Sequence, residues 1–127
     1  MELPARIWMV LASLSGLIAV AAGAFGAHGV ADPQAKGWLQ TGAHYQLVHA
    51  LAVFACVMLW RLGGTTAGLA AWLFLAGGFI FSATLYAMAL GGPRILGAVT
   101  PIGGVLLILG WAVLAWTAFS GAKPNVI

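Results

Sequence analysis

Four long apolar stretches, separated by short polar or glycine-rich connections, dominate the hydrophobic pattern of this chain. A helix of about 20 residues crosses a hydrocarbon core of about 30 Å, and each stretch is long enough to do so. Because backbone groups in lipid must be hydrogen-bonded within their own segment, the stretches are predicted to be helical. The expected membrane spans are residues 7–27, 43–61, 67–90 and 97–119 of a single domain, 1–127.

The fourth span has two possible starts, because Thr100-Pro101 lies inside an apolar run that begins at Ile95. Proline is well tolerated in the first turn of a helix, and a preceding threonine can cap it. The pattern therefore favours a regular helix from Pro101, with the residues from Ile95 to Val99 dipping into the interface. From Pro101 to Phe119 the helix would still cover roughly 28 Å.

The connection between the first two spans, Gly29 to Gly42, is polar. Asp32-Pro33 is a typical cap or turn, and Gln40-Thr41-Gly42 is the expected break before the second span. The sequence predicts an all-α integral membrane protein. Its fold is expected to be a bundle of four transmembrane helices with a short amphipathic segment between helices 1 and 2.

Composition agrees with a location in lipid. Hydrophobic residues make up 63% of the chain and charged residues 6%, whereas about a quarter of the residues of soluble domains are charged. The net charge is +3, but the five basic residues are scattered singly near the ends of the apolar runs. This distribution argues against a nucleic-acid partner, so the lipid bilayer is the predicted partner.

Four spans place both termini and the second loop on one side of the membrane. That side carries Arg6, Arg61 and Lys123, against Lys36 and Arg94 on the other. Because loops rich in lysine and arginine remain in the cytoplasm, the excess of one charge predicts an orientation. We expect a multi-pass protein of the inner (plasma) membrane with both termini in the cytoplasm.

Small residues recur at helical spacing, and small residues let membrane helices approach closely. In the first span Ser15, Ala19, Gly23 and Ala27 form one stripe, so this helix is expected to lie inside the bundle. The glycines predicted to pack helices together are Gly16, Gly23, Gly26, Gly78 and Gly104.

Polar residues of all four spans fall in the half of the bilayer next to the first loop. Because polar groups in lipid are costly, they usually turn inward and meet one another. His49 is expected to be a buried neutral imidazole, bonded to a backbone carbonyl or to Tyr86 or Ser82. The predicted polar cluster, and the candidate ligand-binding set, is His28, Tyr45, Gln46, His49, Ser82, Tyr86 and Thr100.

The sequence contains no recognisable catalytic or metal-binding constellation. His44 and His49 are about 140° apart around a helix, so they are poorly placed to share a metal. Cys56 is the single cysteine, which excludes paired-thiol chemistry within the chain. We expect no catalytic residue, no metal, no cofactor and no enzymatic activity. A single haem held between His28 and His49 is the redox alternative.

Four motifs, in order, resemble those of a family of small membrane proteins. They are Gly23 to His28 (GAFGAH), Trp38 to Gly42 (WLQTG) with Tyr45-Gln46 and His49, Phe81-Ser82 with Leu85-Tyr86, and Thr100 to Gly104 (TPIGG) with Gly110-Trp111. They cover nearly the whole chain and are similar to those of the YgdD/YwdK-like membrane proteins, which also have mitochondrial relatives.

The resemblance implies four transmembrane helices and no established activity. The chain departs from the family pattern at His44, where some relatives have an acid, and at Ala83, where glycine is frequent. The family's motif residues correspond here to His28, Gln40, Gly42, Tyr45, Gln46, His49, Ser82, Tyr86, Thr100, Pro101 and Gly104.

Three functional classes follow from these observations. The glycine-rich and alanine-rich faces favour a structural or accessory bundle that binds lipid, further copies of itself or a subunit of a larger membrane complex. The second class is a small transporter or channel acting as an oligomer. Proton-coupled exporters use a carboxylate within a span, however, and both Glu2 and Asp32 lie outside the spans. A single-haem or other redox membrane protein is the third class.

Overall fold

Four long α-helices and one short 3₁₀ helix make up the part of the chain that the computed structural model describes, residues 1–121. Each of the four helical segments is long and apolar enough to cross a membrane. The prediction of an all-α protein with four membrane-crossing helices is confirmed. The elements are α1 (Leu3–His28), α2 (Pro33–Arg61), α3 (Ala67–Ala89), the 3₁₀ helix (Arg94–Ala98) and α4 (Thr100–Phe119).

The amphipathic segment expected between the first two spans is not a separate element. It forms the first turns of α2, which begins at Pro33. Asp32 caps this helix, because its carboxylate accepts a hydrogen bond of 2.9 Å from the Ala35 N–H. The proline lies in the first turn, where no donor is needed. The predicted break at Gly42 was wrong: the helix continues through this glycine, which instead leaves room for the Tyr86 ring of α3.

The start of α4 agrees with the favoured interpretation of the fourth span. The helix begins at Thr100, with Pro101 in its first turn, and the preceding residues form the separate 3₁₀ helix. Thr100 does not cap the helix, however. Its hydroxyl donates back to the Leu96 carbonyl at 3.1 Å instead, which ties α4 to the 3₁₀ helix.

The helices lie side by side in chain order. α2 and α3 occupy the centre, α1 packs on α2, α4 packs on α3, and the outer helices α1 and α4 do not touch in the described residues. The expectation that α1 lies inside the bundle was wrong. One stripe of α1, including Ala12, Ala19 and Gly26, is buried, whereas Leu17 and Val20 are about two-thirds exposed, at 65% and 63%.

The main apolar core lies toward the second loop. Trp8 of α1 packs edge-on against Trp60 of α2, with ring centroids 5.3 Å apart, and lies over Gly68 of α3. Cys56 and Phe74 are fully buried beside this group. This core joins all four helices, because Leu107 of α4 also belongs to it.

Glycine contacts differ from the prediction at three of five positions. Gly23 and Gly26 do face α2, where an added Cβ would lie 3.5 Å from Ala43 Cβ and 3.0 Å from Leu39 Cβ, respectively. Gly16, Gly78 and Gly104 have open space or one distant neighbour. The closest approach is between Gly77 of α3 and Gly103 of α4, one residue before two of the predicted glycines. Adjacent residues of a helix point about 100° apart, so a pair of glycines does not reveal which one faces a neighbour.

Candidate functional site

Two hydrogen bonds join α2 to α3 in the half of the molecule next to the first loop. The Ser82 hydroxyl donates to the Gly42 carbonyl at 2.8 Å, and the Tyr86 hydroxyl donates to Gln46 Oε1 at 2.7 Å. The partners on each helix are four residues apart, but α2 and α3 run in opposite directions, so both bonds lie in the same short stretch of the interface. An added Cβ on Gly42 would lie 2.6 Å from Tyr86 Cε1. The glycine therefore provides the space in which the Tyr86 ring lies.

His49 joins α2 to α4. Its Nδ1 lies 2.6 Å from the Tyr45 carbonyl, and its Nε2 accepts a hydrogen bond of 3.0 Å from Trp111 Nε1. An indole N–H only donates, so Nε2 must be the unprotonated nitrogen and Nδ1 carries the proton. His49 is therefore a neutral imidazole that donates a hydrogen bond to a backbone carbonyl. The alternative prediction, that His49 bonds Tyr86 or Ser82, was wrong, because those two side chains bond Gln46 and Gly42 instead.

Thr100 pairs with Thr84, a residue that sequence analysis missed. The two hydroxyl oxygens are 2.6 Å apart, and the Thr84 hydroxyl also lies within hydrogen-bonding distance of the Ile80 and Phe81 carbonyls of its own helix. Threonine commonly bonds its own helix in this way, so the sequence carried no sign of a contact between helices. We call the four interhelical contacts Ser82–Gly42, Tyr86–Gln46, Trp111–His49 and Thr84–Thr100 the polar layer.

A further polar contact lies at the opposite end of the helices, outside the half in which the polar residues were expected to gather. Thr66 and Thr117 bring their hydroxyl oxygens to 2.6 Å, and Thr117 is fully buried. Thr117 also bonds the Val113 carbonyl of α4. The ends of α3 and α4 near the second loop are therefore fastened by a hydroxyl pair that mirrors Thr84–Thr100.

His28 does not join the polar layer. It is exposed at the end of α1, where the neighbouring Ala27 carbonyl accepts a hydrogen bond of 3.1 Å from Lys36 Nζ. His28 is thus level with the first turn of α2, and His49 lies about 20 Å further along that helix. The structure therefore does not bring the two imidazoles together. Both ring nitrogens of His49 are already hydrogen-bonded.

Tyr45 lies at the edge of the polar layer. Its ring is parallel to that of His49, with centroids 6.1 Å apart, and touches Phe81 of α3 at 4.7 Å. The side chain is 42% exposed to the surroundings of the helices. Its backbone carbonyl, which holds His49, is therefore its main contribution to the layer.

The first-loop side also carries charged groups. Arg94, the first residue of the 3₁₀ helix, donates to Gln34 Oε1 at 3.0 Å and so connects this helix to the first turn of α2. A cavity of about 590 Å³ lies between the first and third loops, beside Asp32 and Trp38. Asp32 is engaged as the cap of α2.

The chemistry that these side chains support is mutual hydrogen bonding between helices. In residues 1–121, no three histidine, cysteine or acidic side chains come together in a way that would hold a metal ion. Hydroxyl, amide, imidazole and indole groups instead find partners on a neighbouring helix. Such contacts are worth about 1 kcal/mol each in membranes and define which helix faces meet.

The His49–Trp111 contact gives a testable prediction. His49→Leu strands the indole N–H and Trp111→Phe strands Nε2, so each change is expected to lower the free energy of unfolding by about 1 kcal/mol. The double variant should lose less than the sum, because neither partner is then left unpaired. Unfolding in mixed micelles measures all three, with the exposed His44→Leu as the control. Strict additivity of the two losses would contradict the contact.

Known sequences similar to this chain are membrane proteins. Residues 22–104 match the pattern of a family described as protein of unknown function, DUF423. A UPF0382 membrane protein of Staphylococcus epidermidis is 40% identical over 115 residues, covering 86% of this chain and 92% of that protein. The UPF0382 membrane protein YwdK of Bacillus subtilis is 39% identical, covering 89% and 96%.

The UPF0382 inner membrane protein YgdD of Escherichia coli is 38% identical over 113 residues, which is 86% of each chain. No solved structure matches the sequence. The residues that match the family pattern include Gly42, His49 and Ser82 of the polar layer, whereas Trp111 lies beyond the match.

Proposed function

This chain belongs to the DUF423 (UPF0382) family of membrane proteins of unknown function, and we propose that it is a structural or accessory protein that binds lipid or a membrane subunit. The family membership confirms the resemblance drawn from the four motifs. The chain is thus a membrane protein with four apolar helices. The proposal concerns what the four helices do in the bilayer.

The observation that supports this proposal is the open row of helices. Because α1 and α4 lie at opposite edges, the central pair is covered incompletely on both sides. A groove of about 430 Å³ lies between Leu11 to Ile18 of α1 and Trp72 to Phe79 of α3, with Gln46 of α2 at its edge; we call it the α1/α3 groove. The α2/α4 groove, of about 400 Å³, lies between Tyr45 to His49 of α2 and Gly104 to Trp111 of α4.

Both grooves have chiefly apolar walls and face the surroundings of the helices. In a bilayer such concave surfaces are filled by acyl chains, by other lipid-soluble molecules or by helices of another protein. Meanwhile the polar layer is engaged in holding the helices together. The open apolar grooves and the internally bonded polar layer together support a binding role, without catalysis or a cofactor. In this role the protein associates with lipid, with its own copies or with a larger complex.

Purification from native membranes in a mild detergent tests the proposal. We expect native mass spectrometry to find a lipid or another membrane subunit retained with the tagged protein. Ala76→Phe, which fills the α1/α3 groove, or Gly104→Phe, which fills the α2/α4 groove, should reduce that retention, whereas Ala115→Phe on the exposed face of α4 should not. A chain that always elutes alone, or solute flux in proteoliposomes, would overturn the accessory role.

We also propose that the protein resides in the inner (plasma) membrane with both termini in the cytoplasm. The support is the one-charge excess on the side of Arg6, Arg61 and Lys123, of which Lys123 lies outside the described residues. A green fluorescent protein fused after Ile127 should fluoresce, and alkaline phosphatase at the same site should be inactive. Active phosphatase would reverse the orientation.

A further inference from the structure

The α1/α3 groove contains a polar group that the polar layer does not fully use. Gln46 is 93% buried, being 7% exposed, and its Oε1 accepts the Tyr86 hydroxyl. Within residues 1–121 its amide nitrogen, Nε2, makes no hydrogen bond. The residue borders both the groove and a smaller adjoining cavity beside Ile18 and Phe79. Two N–H donors therefore remain available at the edge of an apolar groove.

The position of Gln46 along α2 sets the depth of these donors. The residue lies near the middle of the 29-residue helix, and Ser15 and Phe79, which also line the groove, lie near the middles of α1 and α3. The donors are thus close to the centre of the bilayer. Phospholipid head groups lie outside the hydrocarbon core of about 30 Å and do not reach this depth. A free amide N–H in hydrocarbon is costly, so an acceptor that is soluble in lipid would gain from pairing with it.

We propose that the α1/α3 groove binds a neutral, lipid-soluble carbonyl compound with a flat ring and a hydrocarbon tail, a class that includes isoprenoid quinones. A ring carbonyl would accept from Gln46 Nε2, and the Ser15 hydroxyl lies along the same groove. Trp72 and Phe79 supply aromatic faces, at 48% and 69% exposure, for a conjugated ring. Among residues 1–121, no charged side chain lines the groove, which matches a neutral ligand. The inference names a ligand class for the lipid-binding role proposed above and rests on that role.

The dimensions of the groove favour a small molecule over a transmembrane helix. Its volume of about 430 Å³ falls in the range of about 300 to 1,000 Å³ that small-molecule sites occupy. Its α1 wall, Leu11 to Ile18, covers two helical turns, about 10 Å along the axis, whereas a partner helix about 10 Å wide would need a face running much further across the bilayer.

Gln46 has two roles that variants can separate. Tyr86→Phe removes the hydroxyl, which lowers stability but leaves the amide free to bind. Gln46→Leu combined with Tyr86→Phe removes both partners of the internal hydrogen bond, so that neither is stranded, and also removes the donors for a ligand. The free energy of unfolding should depend on whether either partner of the Gln46–Tyr86 hydrogen bond is left unpaired, while ligand affinity should depend only on the presence of Gln46.

Titration of the full-length protein in nanodiscs with decylubiquinone tests the inference by quenching of tryptophan fluorescence. We expect saturable quenching that is diminished in Trp72→Phe. Tyr86→Phe should keep the affinity, the double variant should bind about tenfold more weakly, and Gln40→Leu, an exposed position outside the groove, should match the wild type. Quenching that does not saturate, or equal affinity in the wild type and the double variant, would overturn the inference.

Two further outcomes separate this inference from the accessory role. Retention of lipid or a subunit during purification, together with no saturable quenching, would overturn the carbonyl-binding site and leave the accessory role standing. Efficient disulfide formation between two copies carrying Phe79→Cys in a Cys56→Ala background would show that a second copy fills the groove, and would also overturn it.

Discussion

Gly103→Ala is expected to lower the free energy of unfolding by about 3 kcal/mol or more and to separate α4 from α3. The added Cβ would lie 2.5 Å from the Phe81 nitrogen and 2.8 Å from the Gly77 carbonyl oxygen. Both obstacles are backbone atoms of a helix, which cannot rotate away as a side chain can. The change is therefore relieved only by moving the two helices apart, which also stretches the Thr84–Thr100 contact.

Gly104→Ala is the matched control for this prediction. It lies next in the chain, but its added Cβ would meet only Phe81 Cδ2, at 3.9 Å. Since alanine is a better helix former than glycine by about 1 kcal/mol, this change should be neutral or stabilising. Thermal unfolding in detergent, followed by size-exclusion chromatography of the purified variants, measures both. Similar losses at the two positions would mean that α3 and α4 do not meet at Gly77 and Gly103.

Gly42→Ala is expected to cost about 2 kcal/mol, because it disturbs two contacts of the polar layer together. The new methyl group would lie 2.6 Å from Tyr86 Cε1. The ring must move, which draws its hydroxyl away from Gln46 and pushes α3, with Ser82, away from the Gly42 carbonyl. The predicted loss is smaller than at Gly103 because a side chain, rather than backbone, is the main obstacle.

Two comparisons isolate this effect from helix propensity. Gly37→Ala lies in the same helix with open space around the added Cβ and should be neutral or stabilising. In a Tyr86→Leu background, the cost of Gly42→Ala should shrink, because the ring that causes the clash is gone. Chemical unfolding in mixed micelles measures these differences, and an undiminished cost in that background would contradict the assigned contact.

Features that depend on the chain alone were predictable from the sequence. Four apolar runs of membrane length imply four helices, because backbone groups in hydrocarbon have no other partner than their own helix. Thr100-Pro101 marked the start of α4, and Asp32-Pro33 marked the start of the amphipathic segment, which proved to be the first turns of α2. The four motifs led to the family. Polar residues at similar depths, such as Gln46, Ser82 and Tyr86, were also recognisable from alternating helix directions.

The faces of the helices were decided by tertiary structure. In a soluble protein the apolar stripe of a helix marks its buried side, but in a bilayer both lipid and protein interior are apolar, so composition does not distinguish them. The stripe of small residues on α1 suggested a place inside the bundle, but this helix lies at an edge and uses that stripe against α2. Adjacent glycines posed the same difficulty, because Gly103 and Gly104 differ by about 100° around α4.

Hydrogen-bond partners also depended on the arrangement of the helices. The sequence showed His49 near the depth of Tyr86 and Ser82, yet the imidazole bonds Trp111, because the side of α2 that carries it faces α4. Likewise, nothing in the chain indicated that Thr66 and Thr117 meet. The sequence determined how many helices cross the membrane and which residues are polar at each depth. Only the packing of one helix on another, through rotation about each axis, decided which of those residues touch.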